Sequence, residues 1–268
     1  SMKILGVSLG TKNGNNDTMC RVALEAAKEK GAEIEFIHLL DWDIQYCSGC
    51  VACSRGLVMG KGMICSRQDD FKAFYEKVVE ADGVLFVDPI FESGATGLYH
   101  SIPDRMGPGH DTGMMKMLDG KLKEAGKEGL NPRYFRQKAI SFVGIGGSDW
   151  AVRCETDHAM FALSPGWKVV NNEFFSWCKD VIMQDDKVER MKEIGRNLAD
   201  AAQQIIDEDM QIEGSEKTSL WKGKEGACPH CQGNNCYIYP GTTHCVCELC
   251  GLEGTLEIVD GAFKFKYD

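Results

Sequence analysis

The sequence lacks any run of about 18 consecutive apolar residues, the least that a membrane-crossing helix needs. Its first residues, "SMKILGVSLG", carry neither the basic stretch nor the apolar core of a secretory leader, so a soluble, cytoplasmic protein with no membrane partner is expected. Positive charge is also short. Thirty Lys and Arg against 40 Asp and Glu leave a net charge of −10. Nucleic-acid binding draws its affinity largely from basic side chains that neutralise phosphates, so no nucleic-acid partner is expected and small-molecule chemistry is the better reading. No internal repeat is present, and neither G-x-x-x-x-G-K-[ST] nor G-x-G-x-x-G occurs, which argues against a nucleoside triphosphatase loop and a dinucleotide Rossmann loop.

Cysteine, by contrast, is abundant, with 13 in 268 residues. In a chain without a leader these read as metal ligands, redox groups or buried small side chains rather than disulfides. Cys20, Cys154 and Cys178 stand alone and are read as buried hydrophobes.

Apolar, strand-like runs alternate with helical patterns, which predicts an α/β sheet with crossover helices. The strands are expected at 3–9, 33–39, 83–89, 138–147 and 167–175, and the clearest helices at 18–30, 70–82 and 187–207. A Gly-, Met- and Lys-rich segment, 106–137, interrupts the alternation and reads as a lid, an oligomer contact or an elaborated loop. After a polar stretch at 207–219 the composition changes, which sets the boundary between a first domain at 1–210 and a small module at 221–268.

The module contains Cys228 and Cys231 in one C-x-x-C pair and Cys247 and Cys250 in another. Each pair offers two thiolates to one tetrahedral ion, and a hairpin between them brings the knuckles together, so a zinc ribbon is expected, with iron as the alternative metal. Cys236, Cys245, His230 and His244 are alternative ligands. Residues 226–268 hold two Lys and five acidic residues, which favours a structural or docking role over nucleic-acid binding.

The turn after the first strand, "SLGTKNGNNDT", crowds Ser, Asn, Gly and Thr before a helix, an arrangement suited to an anion at a helix N-terminus. With "EADGVLFVDPIFESGATGLYHSIPDRM" and "AISFVGIGG" in the same order, it resembles the flavodoxin-like NAD(P)H-dependent FMN reductase family, and the run "YCSGCVACSRGLVMGKGMICS" resembles that family's iron-sulfur flavoprotein branch. The resemblance covers about residues 2–205 and implies a flavodoxin-like, doubly wound, parallel five-stranded sheet that binds FMN and takes hydride from NAD(P)H. It maps the FMN phosphate onto Ser8, Lys12, Asn13, Asn15, Asn16 and Thr18, the ring and ribityl chain onto Pro89, Ile90, Phe91 and Glu92, and a further ring contact onto Gly146 and Gly147. Asp88 stands where the family usually has a small hydroxyl residue.

In a doubly wound sheet these loops converge beyond the carboxyl ends of the strands. Cys47, Cys50, Cys53 and Cys65 leave the second strand on that rim and suit a 4Fe-4S cluster, with free thiols or a second zinc as the alternatives. Phe91, Tyr99, His100, Trp150 and Trp167 are candidates around the acceptor; Tyr99 and His100 are the catalytic candidates, His100 as a proton donor, and Trp150 could stack on a planar molecule. Two functions follow. One is an enzyme reducing a quinone, nitro compound or conjugated enone, ene reduction of flavone-like molecules included. The other is an electron carrier between ferredoxin and a downstream partner. The resemblance also implies a homo-oligomer.

Overall fold

The computed structural model describes residues 1–60 and 65–267. Five strands, β1 (Lys3–Ser8), β2 (Glu33–His38), β3 (Gly83–Pro89), β4 (Ala139–Ile145) and β5 (Lys168–Phe175), pair in parallel in the order β2-β1-β3-β4-β5. This is the flavodoxin-like doubly wound sheet. β4 is buried at every position and β3 at all but its last, because helices cover both faces, whereas the edge strand β2 is only half covered.

One face carries α1 (Asn15–Glu29) and the long α7 (Asp185–Asp207). α7 buries Met191, Ile194, Leu198, Ala202 and Ile205 at helical spacing. Gly195 is where it meets α1: a Cβ there would lie 2.1 Å from the Ala23 carbonyl oxygen. The other face carries α3 (Phe71–Glu80), α4 (Gly97–Met106) and α6 (Cys154–Leu163), over a core that includes Phe74, Phe86, Tyr99, Phe142 and Phe161. Cys20, Cys154 and Cys178 are all buried, as their isolation in the sequence predicts. No helix among the described residues is long and apolar enough to cross a membrane.

Two segments depart from the sequence reading. A short α2 (Ala52–Val58) forms inside the cysteine run. The interrupting segment 106–137 contains α5 (Thr112–Glu124), whose first turn is capped by Asp111 accepting from the Met114 N–H at 2.9 Å. α5 buries Met115 and Leu118 against Leu57 of α2, so this insertion is a packed satellite rather than an open loop.

The polar stretch after α7 lies along the body. Ile212 N–H donates to the Phe135 carbonyl at 2.8 Å, Gln137 Nε2 to Ser215 Oγ at 2.8 Å, and Lys222 N–H to the Val170 carbonyl at 2.7 Å. Beyond it, β6 (Cys236–Ile238), β7 (His244–Cys247), β8 (Glu253–Val259) and β9 (Ala262–Tyr267) form an antiparallel sheet in that order. Cys228, Cys231, Cys247 and Leu249 are buried in one continuous cluster with the helical face of the large sheet.

Candidate functional site

The carboxyl ends of β1, β3, β4 and β5 open onto one rim, and the turn after β1 forms its first wall. Asp17, 1% exposed, accepts hydrogen bonds from Ser8 Oγ at 2.5 Å, the Asn13 N–H at 2.8 Å and His38 Nδ1 at 2.9 Å. Burial works to raise the Asp17 carboxyl, but the bonds from Ser8, His38 and Asn13 outweigh it and hold the group below the ordinary carboxylate value. This anchor fixes Asn13 in the left-handed region at φ 56°. Gly14 caps α1 without a side chain, so the first-turn N–H groups face the rim.

Of the six residues expected around a phosphate, three are already engaged. Ser8 braces the turn from below through Asp17, Thr18 Oγ1 donates to the Gly14 carbonyl at 2.9 Å, and Asn15 Nδ2 staples the loop after β5 by donating to the carbonyls of Cys178 at 3.1 Å and Lys179 at 2.7 Å. Lys12 and Asn13 are exposed, while Asn16 is buried with its Oδ1 unpartnered. The open helix N-terminus and exposed Lys12 fit a bound phosphate, while the orphaned Asn16 Oδ1, an acceptor, fits a hydroxyl donor of the same ligand rather than the phosphate itself.

The second wall is the loop after β3. Glu92 and Ser93 take φ values of 45° and 64° in a tight turn closed by the Gly94 N–H to the Phe91 carbonyl at 3.1 Å. Non-glycine residues occupy that region only when neighbours hold them there, and the first turns of α6 do so. Arg153 donates from Nη2 to the Glu92 carbonyl at 2.8 Å and from its N–H to the Ser93 carbonyl at 3.0 Å; Asp157 Oδ2 accepts the Ala95 N–H at 3.0 Å. A side chain at Gly94 would meet Asp157 Oδ2 at 2.3 Å. Ile90, whose N–H donates to the Ile145 carbonyl at 3.0 Å, packs against the glycines of the next loop: a Cβ on Gly146 would lie 3.1 Å from its Cδ1. Gly147 faces open space.

Asp88 points away from the rim. Wholly buried, it accepts Thr96 Oγ1 at 2.7 Å, the Thr96 N–H at 3.1 Å and His158 Nε2 at 2.8 Å. His158 is pushed up to about 10: burial opposes its charge, but the Cys154 sulfur, whose Sγ lies 3.6 Å from Nδ1, and Asp88 outweigh it. Arg153, Asp157 and His158 escaped the sequence reading; the available signal was Arg153 and Asp157 one helical turn apart at the start of a helix that follows the glycine loop, with His158 turned inward beside them.

Two aromatic expectations are corrected. Tyr99 is 0% exposed and donates its hydroxyl to the His158 carbonyl, and burial drives that hydroxyl's pKa well above its usual value; it is a core residue that cannot touch an acceptor. Trp167 is likewise buried, edge-on to Phe161 at 5.2 Å. His100 stays at the surface, its side chain 47% exposed and Nε2 3.6 Å from Asp157 Oδ2. Phe91, Trp150 and Trp177, from the loops after three different strands, are all more than half exposed.

On the β2 side of the rim, Cys47 and Cys50 are exposed and Cys53 and Cys65 half-buried; residues 61–64 of this run lie outside the described residues. The Ala52 N–H and the Ser48 hydroxyl hold the Cys50 thiol below its ordinary value. Arg105 of α4 ties the run to the body, forking onto Asp69 at 2.5 and 2.8 Å, donating to the Gln45 carbonyl at 2.8 Å and, from Nε, to Cys65 Sγ at 3.2 Å. These four thiols are not gathered at the spacing of a single ion; among the described residues the one such group is Cys228, Cys231, Cys247 and Cys250, with ligand atoms all within 4.8 Å of one another.

In that group Cys228 and Cys250 are 3.7 Å apart and Cys231 and Cys247 3.5 Å. A tetrahedral ion with metal–sulfur bonds of about 2.3 Å requires edges of about 3.8 Å, so the donor set fits one ion. A hydrogen bond from Cys231 draws the Cys247 thiol below its ordinary value. The alternative ligands stand aside: Cys236 Sγ pairs with the Tyr267 hydroxyl at 3.6 Å, and His244 stacks on Tyr239.

Comparison with known proteins agrees with this geometry. The pattern of a family described as NADPH-dependent FMN reductase matches residues 2–180. A solved flavone reductase shares 39% identity and superposes with a TM-score of 0.83, covering 100% of this chain and 81% of that one. A flavone synthase of Aspergillus candidus is 27% identical over 289 residues, covering 100% of this chain and 82% of its own. An iron-sulfur flavoprotein of Archaeoglobus fulgidus is 29% identical over 150 residues, which is 56% of this chain and 64% of that protein, and one of Methanocaldococcus jannaschii is 34% identical over 108 residues, 40% of this chain and 53% of that protein. The chain thus spans under two thirds of these iron-sulfur relatives. Since the family pattern runs through all five strands and each loop of the rim, the chain belongs to the NADPH-dependent FMN reductase family.

Proposed function

We propose that the protein reduces a planar organic acceptor with hydride drawn from a nicotinamide through FMN, and that a flavone-like enone is the acceptor class. Quinones and nitro compounds are the wider class. The observation that carries this reading is the trio of exposed aromatic side chains, Phe91, Trp150 and Trp177, one from each of three loops on the FMN rim; flat apolar surfaces of this kind stack on a flat substrate. The full-length likeness to a flavone reductase supports it.

Bound FMN would supply the two-electron chemistry. Lys12, Asn13, Asn16 and the α1 N-terminus would hold its phosphate, and Pro89, Ile90, Phe91, Glu92, Gly146 and Gly147 its ring and ribityl chain. His100, exposed beside Asp157, would hold the proton delivered to the acceptor. The four ribbon thiols take zinc in this reading, an ion without redox chemistry, so the module is structural. A homo-oligomer would cover the rim aromatics.

The names of the iron-sulfur flavoproteins favour a second reading, in which Cys47, Cys50, Cys53 and Cys65 hold a 4Fe-4S cluster and pass single electrons between ferredoxin and a partner. Protein purified without oxygen decides between them. One zinc and one FMN per chain, no acid-labile sulfide, and flavone-dependent oxidation of NADH or NADPH are expected. About four irons and four sulfides per chain, with no turnover of flavone, quinone or nitro acceptors, would establish the carrier instead.

A further inference from the structure

The four-cysteine module reaches the rim through a short chain of contacts. Its first knuckle is fixed by the Cys228 N–H donating to the Gly233 carbonyl at 2.8 Å and the Gly233 N–H donating to Cys231 Sγ at 3.4 Å. The second knuckle grips the same loop, the Glu248 N–H donating to the Asn235 carbonyl at 3.0 Å. Held from both sides, Asn234 and Asn235 project onto the start of α6. Asn235 Nδ2 donates to the Val152 carbonyl at 2.7 Å and to Thr156 Oγ1 at 3.0 Å, and Asn234 Nδ2 to Glu155 Oε2 at 2.5 Å.

Val152, Glu155 and Thr156 flank Arg153 and Asp157, the residues that hold the strained Glu92–Ser93 turn. We propose that Asn235 is a positioning residue for the flavin site: the knuckle loop fixes the first turn of α6, and through Arg153 that turn fixes the backbone the flavin ring would lie against. The physical basis is that a turn with two non-glycine residues at positive φ keeps its shape only while its clamps keep theirs. Arg153 reaches that turn by its side chain, from Nη2 to the Glu92 carbonyl and from Nε to Ser93 Oγ at 3.3 Å, and by its own main-chain N–H, so a small rotation of the α6 N-terminus releases all three bonds at once. The four thiols then have a role at the rim without any electron passing through them. This rests on the flavin ring occupying the loop after β3, as proposed above.

The test is the rate at which FMN leaves the diluted holoprotein, read as recovery of free-flavin fluorescence, beside metal content per chain. Asn235→Ala should speed release about fivefold at unchanged metal content, and Asn235→Asp, which turns a carboxylate toward the Val152 carbonyl, should speed it further. Arg153→Ala should speed it at least as much as Asn235→Ala, and adding Asn235→Ala to it should change nothing more, because both changes remove one route. Phe263→Ser, on the exposed far strand of the module, should leave release at the wild-type rate. Wild-type release in both Asn235 variants, effects of Asn235→Ala and Arg153→Ala that multiply, or a Phe263→Ser effect as large as that of Asn235→Ala would each overturn the proposal. A wild-type protein that binds no FMN would instead overturn the reading of the rim.

Discussion

Arg105 and Asp69 show how far one pair of side chains can shape the rim. Their side chains are 0% and 1% exposed, and the guanidinium fork, opposed by burial, holds the Asp69 carboxyl down at about 2. An unfolded Asp titrates near pH 3.9, so the pair's contribution is fully present above about pH 4 and is lost as pH falls toward about 2. Asp69→Asn leaves the cation buried without a counter-charge and should cost about 3 kcal/mol at pH 7 in urea unfolding. It should also flatten the loss of stability between pH 4 and 2; a variant that keeps the full acid limb would show that other carboxylates cause it. Tyr99 teaches the converse. Its place beside His100 gave it the look of a pocket residue, yet α4 turns it wholly inward, and neighbouring positions on a helix face different ways.

At the scale of the element, α1 matters most, because its first turn would make the proposed phosphate site. The structure separates residues that build the turn, Ser8, Asn15 and Thr18, from those left for the proposed ligand, Lys12, Asn13 and Asn16. Lys12→Ala with Asn16→Ala should therefore weaken FMN at least tenfold with little loss of fold, measured by flavin titration and thermal melting. Unchanged affinity would move the phosphate elsewhere on the rim. α5 shows why a helix can hide in a sequence: its Gly113 and Gly120 lower local helix propensity, and only packing on α2, itself hidden among cysteines, repays that.

For the whole molecule, the question is whether the ribbon is an appendage. The two sheets share no strand, but one buried cluster joins residues of the large sheet and its helices to Leu249 and three of the four ribbon cysteines. Removal of the metal, by Cys228→Ser with Cys231→Ser or by chelation, should therefore lower the melting temperature of the body and loosen FMN as well as empty the ribbon. A body that melts and binds flavin as before would make the modules independent.

The sequence by itself determined the five parallel strands, the helices at 18–30, 70–82 and 187–207, the rim loops and the paired C-x-x-C knuckles, because each is a local pattern: apolar period, turn chemistry or fixed ligand spacing. Only the tertiary structure decided which polar residues of the turn after β1 remain free, that Asp88 turns inward to His158, that Arg153 and Asp157 clamp the turn after β3, and that the ribbon leans on α6. Those are hydrogen bonds between residues up to 83 positions apart, as between Asn235 and Val152, and no local period encodes a partner at that distance.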